Sequence, residues 1–130
     1  MAGEPAHVKW VVPAKDLVDL TPEKARGLIV RCFLEAQKET FARARERLGQ
    51  TPTEATLLAN VEGAVRLAFR ESGGEYDHPT AENLEKVVEV LARKAGSWGT
   101  PQDVIRHHKG QIGRVLAALS TGERVPGTPS

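Results

Sequence analysis

The chain has 130 residues, 40% hydrophobic and 27% charged, with a formal net charge of +1. This length suits one domain with one core, and the near-neutral charge gives no overall attraction to nucleic acid or acidic membranes. The single cysteine, Cys32, excludes an internal disulfide framework. No apolar run approaches the ~20 residues of a membrane-spanning helix, and the N-terminus lacks signal-peptide features, so we expect a cytoplasmic protein without membrane contact.

Residues 1–20 are predicted to form an extended arm that precedes the helical domain. The stretch "HVKWVV" at 7–12 is β-prone and is closed by Pro13. The sequence offers no second convincing strand, so this segment either packs on the helices or pairs with a second subunit. Trp10 and Val11 are the residues that we expect at such a contact.

Four helices are predicted over residues 21–120, which gives an all-α, four-helix bundle-like domain. Three of them are expected to begin at Thr-Pro pairs at residues 21, 51 and 100, with threonine as the N-cap and proline in the first turn. His78 or Thr80 is expected to cap the remaining helix, and glycines at 49, 73 and 96 follow helix ends. The predicted helices lie near 22–48, 52–72, 80–95 and 101–119, and residues 121–130 are expected to form a flexible tail.

The first predicted helix is longer than its partners and changes its buried face near residue 40. Beyond this point Phe41 and Leu48 drift away from the apolar stripe, and Arg43 and Arg47 take its direction. Such an end either bends or projects from the bundle, where it would need a partner. The second helix carries a wide apolar stripe and is expected at the centre of the bundle.

The fourth predicted helix contains two adjacent histidines, which lie about 100° apart and cannot share a face. His108 falls in the middle of the apolar arc. The favoured interpretation is a neutral core histidine with one ring nitrogen hydrogen-bonded. The alternatives are a ligand-binding or acid–base group in a cavity, and a histidine buried at an oligomer contact. His107 is interpreted as a solvated residue near Asp103.

Motifs for catalysis or metal binding are weak or absent. Glu75–His78 is a Glu-x-x-His pair, and it lies in a glycine-flanked loop rather than inside a helix, where bundle metal sites place it. Cys32 lies on an apolar helix face, where burial disfavours the reactive thiolate. We therefore assign no catalytic residue, metal or cofactor. The candidates kept for ligand or metal binding are His108, His78, Asp77, Glu75, Asp103 and His107.

A nucleic-acid interface is the first alternative for function. The third and fourth helices, joined by "AGSWGT", suggest a helix-turn-helix, although this connection is longer than the usual tight turn. The basic run "RARER" at 43–47 could contact phosphates, but cations at the end of a helix also complement its dipole. The residues of the fourth helix that could read a groove are Gln102, Arg106, Lys109 and Gln111.

The favoured function is a non-catalytic interaction or assembly module that forms a homodimer. Four features motivate this hypothesis: the unpartnered arm, the long first helix, Val90 pointing away from its helix's core stripe, and tryptophans at candidate contacts. Trp98 either plugs the corner between two helices, which is favoured, or is exposed to a partner. A small enzyme or ligand binder with a pocket histidine is the second alternative. The predicted interface residues are Trp10, Val11, Phe41, Arg43, Arg47, Leu48, Val90 and Trp98.

Overall fold

The computed structural model of this chain is all-helical and confirms the predicted fold class. It describes residues 9–45, 49–50, 52–95 and 98–124. Within these ranges the backbone forms four α-helices and one short 3-10 helix, and no strand. The helices pack against one another as a bundle. None of these described helices is both long enough and apolar enough to cross a membrane.

The four α-helices follow one another in chain order, after the 3-10 helix Ala14–Leu17. We number them α1 (Pro22–Arg43), α2 (Glu54–Glu71), α3 (Ala81–Ala95) and α4 (Gln102–Arg124).

Threonine side chains cap the first three helices. Thr21, Thr53 and Thr80 each accept the backbone N–H three residues later, at 3.1–3.2 Å. Each cap satisfies one of the backbone donors that a helix start leaves without a partner. Thr53 caps α2 in place of the predicted Thr51, which lies outside the described residues, and Thr80 rather than His78 caps α3. The prediction of threonine caps is therefore correct in residue type, and at α2 it is wrong in position by two residues.

The end of α1 differs from the prediction. The helix ends at Arg43 rather than near residue 48, and residues 46–48 lie outside the described ranges. The buried hydroxyl of Thr40 donates to the carbonyl of Ala36 at 2.8 Å, which is a back-bond that competes with helix geometry. Gly49 has a φ of +81°, and its N–H donates to the carbonyl of Arg45 at 2.7 Å.

Both ends of the described chain differ in part from the prediction, since Ala14–Leu17 of the predicted extended arm form a 3-10 helix. Residues 9–13 form no strand, and α4 extends to Arg124, five residues beyond its predicted end at 119. Residues 121–124 of the predicted flexible tail are therefore helical, while 125–130 are not described.

Helix α1, and not α2 as predicted, is the central element of the bundle. It packs against α2, α3 and α4, with its most extensive contacts to α4 and α2. Large side chains from all four helices meet in the core, and Phe33 of α1 and Phe69 of α2 are each at most 2% exposed. Side chains of α1 that face α4 can therefore contribute to a site between these two helices.

Candidate functional site

A cavity of about 220 Å³ lies between the N-terminal arm, α1 and α4. The arm contributes Lys9 and Trp10 to its lining. Apolar contacts come from Ala36 of α1 and Val104 of α4. The polar and titratable lining side chains include Cys32, Glu35, Lys38, Glu39, His107, His108 and Gln111.

The arm is fixed to α4 by hydrogen bonds to its backbone. The N–H of Val12 donates to Gln111 Oε1 at 2.8 Å, and Arg114 Nη1 donates to the Val12 carbonyl at 3.0 Å. The side chain of Val12 is 1% exposed and belongs to the core. Partners for both backbone groups and burial of the side chain together hold the arm over this part of α4. The arm thus packs on the helices of its own chain, which is one of the two arrangements that the sequence left open.

His107 helps to hold the arm. Its Nε2 lies 2.8 Å from the carbonyl oxygen of Trp10. A carbonyl only accepts, so Nε2 carries the hydrogen and donates it. The interpretation of His107 as a solvated residue near Asp103 is therefore wrong, because the residue is half-buried and engaged by the arm.

His108 lies in the core, as predicted, with 5% of its surface exposed. Its ring packs edge-on against Phe33, with the ring centres 4.9 Å apart. Burial, with smaller contributions from Lys109 and His107, lowers the pKa of His108 from its usual value to about 4. The imidazole is therefore neutral at pH 7.

The expected hydrogen bond to His108 is missing at one nitrogen. Its Nδ1 is buried and has no hydrogen-bond partner among the residues that the structure describes. The ring lines the cavity under the arm and also a smaller cavity of about 60 Å³ between α1, α3 and α4. A buried nitrogen without a partner costs about 1–3 kcal/mol, so this residue weakens the core in which it sits.

Cys32 contributes a thiol to the same cavity but is not activated. It is 1% exposed, and burial, reinforced by the negative charge of Glu35, raises the pKa of this thiol to about 12. A nucleophilic cysteine needs the thiolate at neutral pH. Cys32 therefore acts as a small core side chain, as the sequence predicted.

Ion pairs compensate the acidic groups of the cavity. Glu35 accepts from Arg31 at 2.7 Å and lies 3.5 Å from Lys38 Nζ. Glu39 accepts from Arg43 at 2.9 Å. Two carboxylates thus face the cavity region with cations already beside them, and the site presents little uncompensated negative charge.

Asp103 is an ion-pair residue. Arg43 holds it with two hydrogen bonds of 2.8 and 2.6 Å, and Lys9 lies 3.3 Å away. The hydrogen bonds from Arg43 hold the pKa of this carboxyl well below its usual range. The contact ties the end of α1 to the start of α4 and to the arm, and it makes Asp103 a poor metal ligand.

The loop candidates for metal binding remain apart from the cavity. His78, Asp77 and Glu75 are exposed in the connection between α2 and α3. Across the described parts of the chain, no three His, Cys, Asp or Glu side chains are grouped so that they could hold a metal ion.

Most of the predicted interface residues make contacts within their own chain. Val90 is 8% exposed, so the prediction that it points away from the core is wrong. Trp98 packs edge-on against Phe33, with ring centres 6.1 Å apart, and Arg31 lies over the ring of Trp10 at 5.2 Å. Val11 is 51% exposed and remains open to solvent.

The remaining interface candidates lie toward the end of α1. Phe41 is half-buried and lines an apolar groove of about 280 Å³ together with Leu57 and Trp98. Arg43 forms ion pairs with Glu39 and Asp103. Arg47 and Leu48 lie outside the described residues.

The residues predicted to contact a nucleic-acid groove differ in whether their side chains are exposed or already hydrogen-bonded within the chain. Gln102, Arg106 and Lys109 are exposed on α4. Gln111 accepts hydrogen bonds from Val12 and Arg114, so its amide is occupied by the arm. The set is therefore smaller than predicted, and DNA binding stays an untested prediction.

The cavity could not be predicted from the sequence, because its walls come from segments far apart in the chain. Cys32 and Ala36 are one turn apart on α1, and small side chains at this spacing leave room opposite them. Nothing in the sequence showed that the arm would lie across this room. No protein-family model, curated protein or solved structure matched this chain.

Proposed function

We propose that this protein binds a small neutral molecule in the cavity under the arm, with His108 as its polar contact. The observation that supports this proposal most strongly is that the His108 ring lines the cavity while its buried Nδ1 has no hydrogen-bond partner among the described residues. A buried polar atom without a hydrogen-bond partner lowers the stability of the folded state, and such a loss is typical of residues that serve binding. A leucine of similar volume would pack at the same place without an unsatisfied atom.

The chemistry of the lining restricts the ligand. Glu35 and Glu39 already have cationic partners, and the His108 imidazole is neutral, so no single charge attracts an ion. Ala36, Val104 and Trp10 offer apolar contacts. The favoured ligand is therefore a compact, largely apolar molecule with one hydrogen-bonding group, and it must be small because the cavity is smaller than most ligand pockets.

Phenol and benzene form a matched pair of probes for this proposal. An apolar cavity of about 150 Å³ accepts benzene, and phenol adds a single hydroxyl that can bond to an imidazole nitrogen. Trp10 lines the cavity, so its emission reports binding when Trp98, the other tryptophan, is changed in a Trp98→Phe background. We expect a saturable change with phenol, and an affinity for benzene about tenfold lower, which corresponds to one hydrogen bond.

The variant His108→Leu decides the role of the histidine. It should lose the preference for phenol over benzene, while His78→Gln, at an exposed histidine of the loop, should keep it. Equal binding of phenol by the parent protein and by His108→Leu would rule out His108 as the polar contact. The absence of saturable binding of either probe would remove the cavity as a ligand site.

A homodimer remains the second candidate for function, and the apolar groove beside Phe41 favours it. Phe41, Leu57 and Trp98 present apolar side chains there, and the occupant that we propose is a second copy of this chain. The low net charge of +1 leaves little repulsion between copies. A cytoplasmic location, where Cys32 would stay reduced, belongs to the same proposal.

A further inference from the structure

Two arginines from different helices lie against the one tyrosine of the chain. The guanidinium carbon of Arg66 in α2 is 4.0 Å from the centre of the Tyr76 ring, and that of Arg26 in α1 is 4.5 Å from it. Arg26 Nη1 also donates to the backbone carbonyl of Tyr76. The ring itself packs edge-on against Phe69 of the core at 5.8 Å, so it is a fixed platform for both cations.

Neither guanidinium has a carboxylate partner among the described residues, although each has one at a suitable spacing. Glu62 precedes Arg66 by four positions, which is the favourable order for an ion pair on a helix. Glu23 precedes Arg26 by three positions. No ion pair joins either of these pairs, whereas Arg31 with Glu35 and Arg43 with Glu39 form theirs at the same kind of spacing on α1. Both cations therefore contact the same ring, and no carboxylate among the described residues pairs with either of them.

We propose that Arg26 and Arg66 form a binding site for a phosphate group, either free or on a small monoester. Two guanidiniums that contact one ring repel each other. A phosphate with two negative charges would relieve this repulsion, because its oxygens can accept hydrogen bonds from the paired N–H groups of both arginines. Contact with the ring leaves most of the five N–H donors of each guanidinium free for such a ligand. This site is separate from the cavity under the arm.

The surroundings of the site set its selectivity. Arg26 and Tyr76 are half-buried and Arg66 is exposed, so an anion can reach the pair from solvent. Arg70 lies one turn beyond Arg66 on α2 and is also exposed. The flanking Glu75 and Asp77 oppose weak, diffuse anion attraction, so the site should need direct contact with both arginines and should discriminate against chloride.

Tyr76 permits a direct experiment because it is the only tyrosine. Protein labelled with 3-fluorotyrosine gives one ¹⁹F resonance, which can be followed while inorganic phosphate replaces sodium chloride at constant ionic strength. We expect a saturable shift with phosphate, and the same with glycerol 1-phosphate if an ester is accepted. Acetate, a monoanion of similar size, should bind at least tenfold more weakly.

Charge-matched variants separate contact from general attraction. Arg66→Gln and Arg26→Gln should each weaken phosphate binding by about tenfold or more, since each removes a charge-assisted contact. Arg93→Gln removes the same charge from an exposed position on α3 and should leave the affinity unchanged. A response that is linear in phosphate, equal for acetate, or equal in Arg66→Gln and Arg93→Gln would overturn the proposal. Arg66→Lys, which keeps the charge without the fork, tests the same point if Arg26→Gln fails to fold.

Discussion

At the scale of the residue, His108 is the one described group whose chemistry conflicts with its position. Its buried Nδ1 has no hydrogen-bond partner in the part of the chain that the structure describes, and its pKa is lowered to about 4, chiefly by burial. In an unfolded chain the same imidazole has a pKa near 6.5, so the unfolded state binds more protons between these two values. Stability due to this group is therefore complete above pH 6.5 and is lost as the pH falls toward 4.

This linkage gives a prediction for His108→Leu. At pH 7 the variant should be more stable than the parent, because leucine fills similar volume without an unsatisfied nitrogen. Between pH 7 and 4.5 the parent should lose roughly 2–3 kcal/mol that the variant keeps. Urea unfolding of both proteins at the two pH values measures the free energies.

The control for this measurement is His78→Gln, which alters an exposed histidine in a loop. It should follow the pH dependence of the parent. If His108→Leu shows the same loss of stability at pH 4.5 as the parent, the fold does not hold the imidazole in its neutral form.

At the scale of the element, the arm behaves as a part of the core. Val12 is 1% exposed and Val11, its neighbour, is 51% exposed, so adjacent residues of one type face opposite surroundings. Val12→Ala should lower the free energy of unfolding by about 2 kcal/mol, from lost burial and the space left behind. Val11→Ala should change it by less than about 0.5 kcal/mol. Chemical denaturation of the two variants makes the comparison, and equal effects would show that the arm does not pack as described.

The elements also show which parts of the fold the sequence could predict. Helix type and number followed from 3.6-residue periodicity and Thr-Pro signals, which are local properties. The cap of α2 was predicted at Thr51 because it begins a Thr-Pro pair, whereas Thr53 caps the helix. The central position of α1, the placement of the arm and the burial of Val90 depend on contacts between distant segments, which periodicity alone does not encode.

The candidate site illustrates the same limit. The position of His108 in an apolar arc was evident from the sequence, and its burial is confirmed. The missing hydrogen bond at its Nδ1 could not be predicted from the sequence, because the partners of a ring nitrogen depend on where Phe33 and the neighbouring helices lie. The Arg26–Tyr76–Arg66 contact was also missed, because the three residues come from α1, α2 and a loop.

At the scale of the whole molecule, self-association depends on whether one face can exclude enough water. A stable interface removes on the order of 1,000 Å² or more from solvent. Val12 of the arm and Val90 do not supply such a face, because both are buried within the chain. The groove beside Phe41 is the remaining apolar candidate among the described surfaces, and single exposed side chains such as Leu67 are common on monomers.

Sedimentation velocity over a range of concentrations tests the dimer. We expect a dimer whose dissociation constant rises at least tenfold in Phe41→Gln, because a polar amide in the apolar groove must be desolvated on association. Leu67→Gln changes an apolar side chain that is 44% exposed elsewhere on α2 and should leave association unchanged. A parent protein that sediments as a monomer at high concentration would rule out the homodimer and leave ligand binding in the cavity under the arm as the remaining proposal. Equal weakening by both variants would instead mean that the contact does not run through the groove, since Leu67 does not line it.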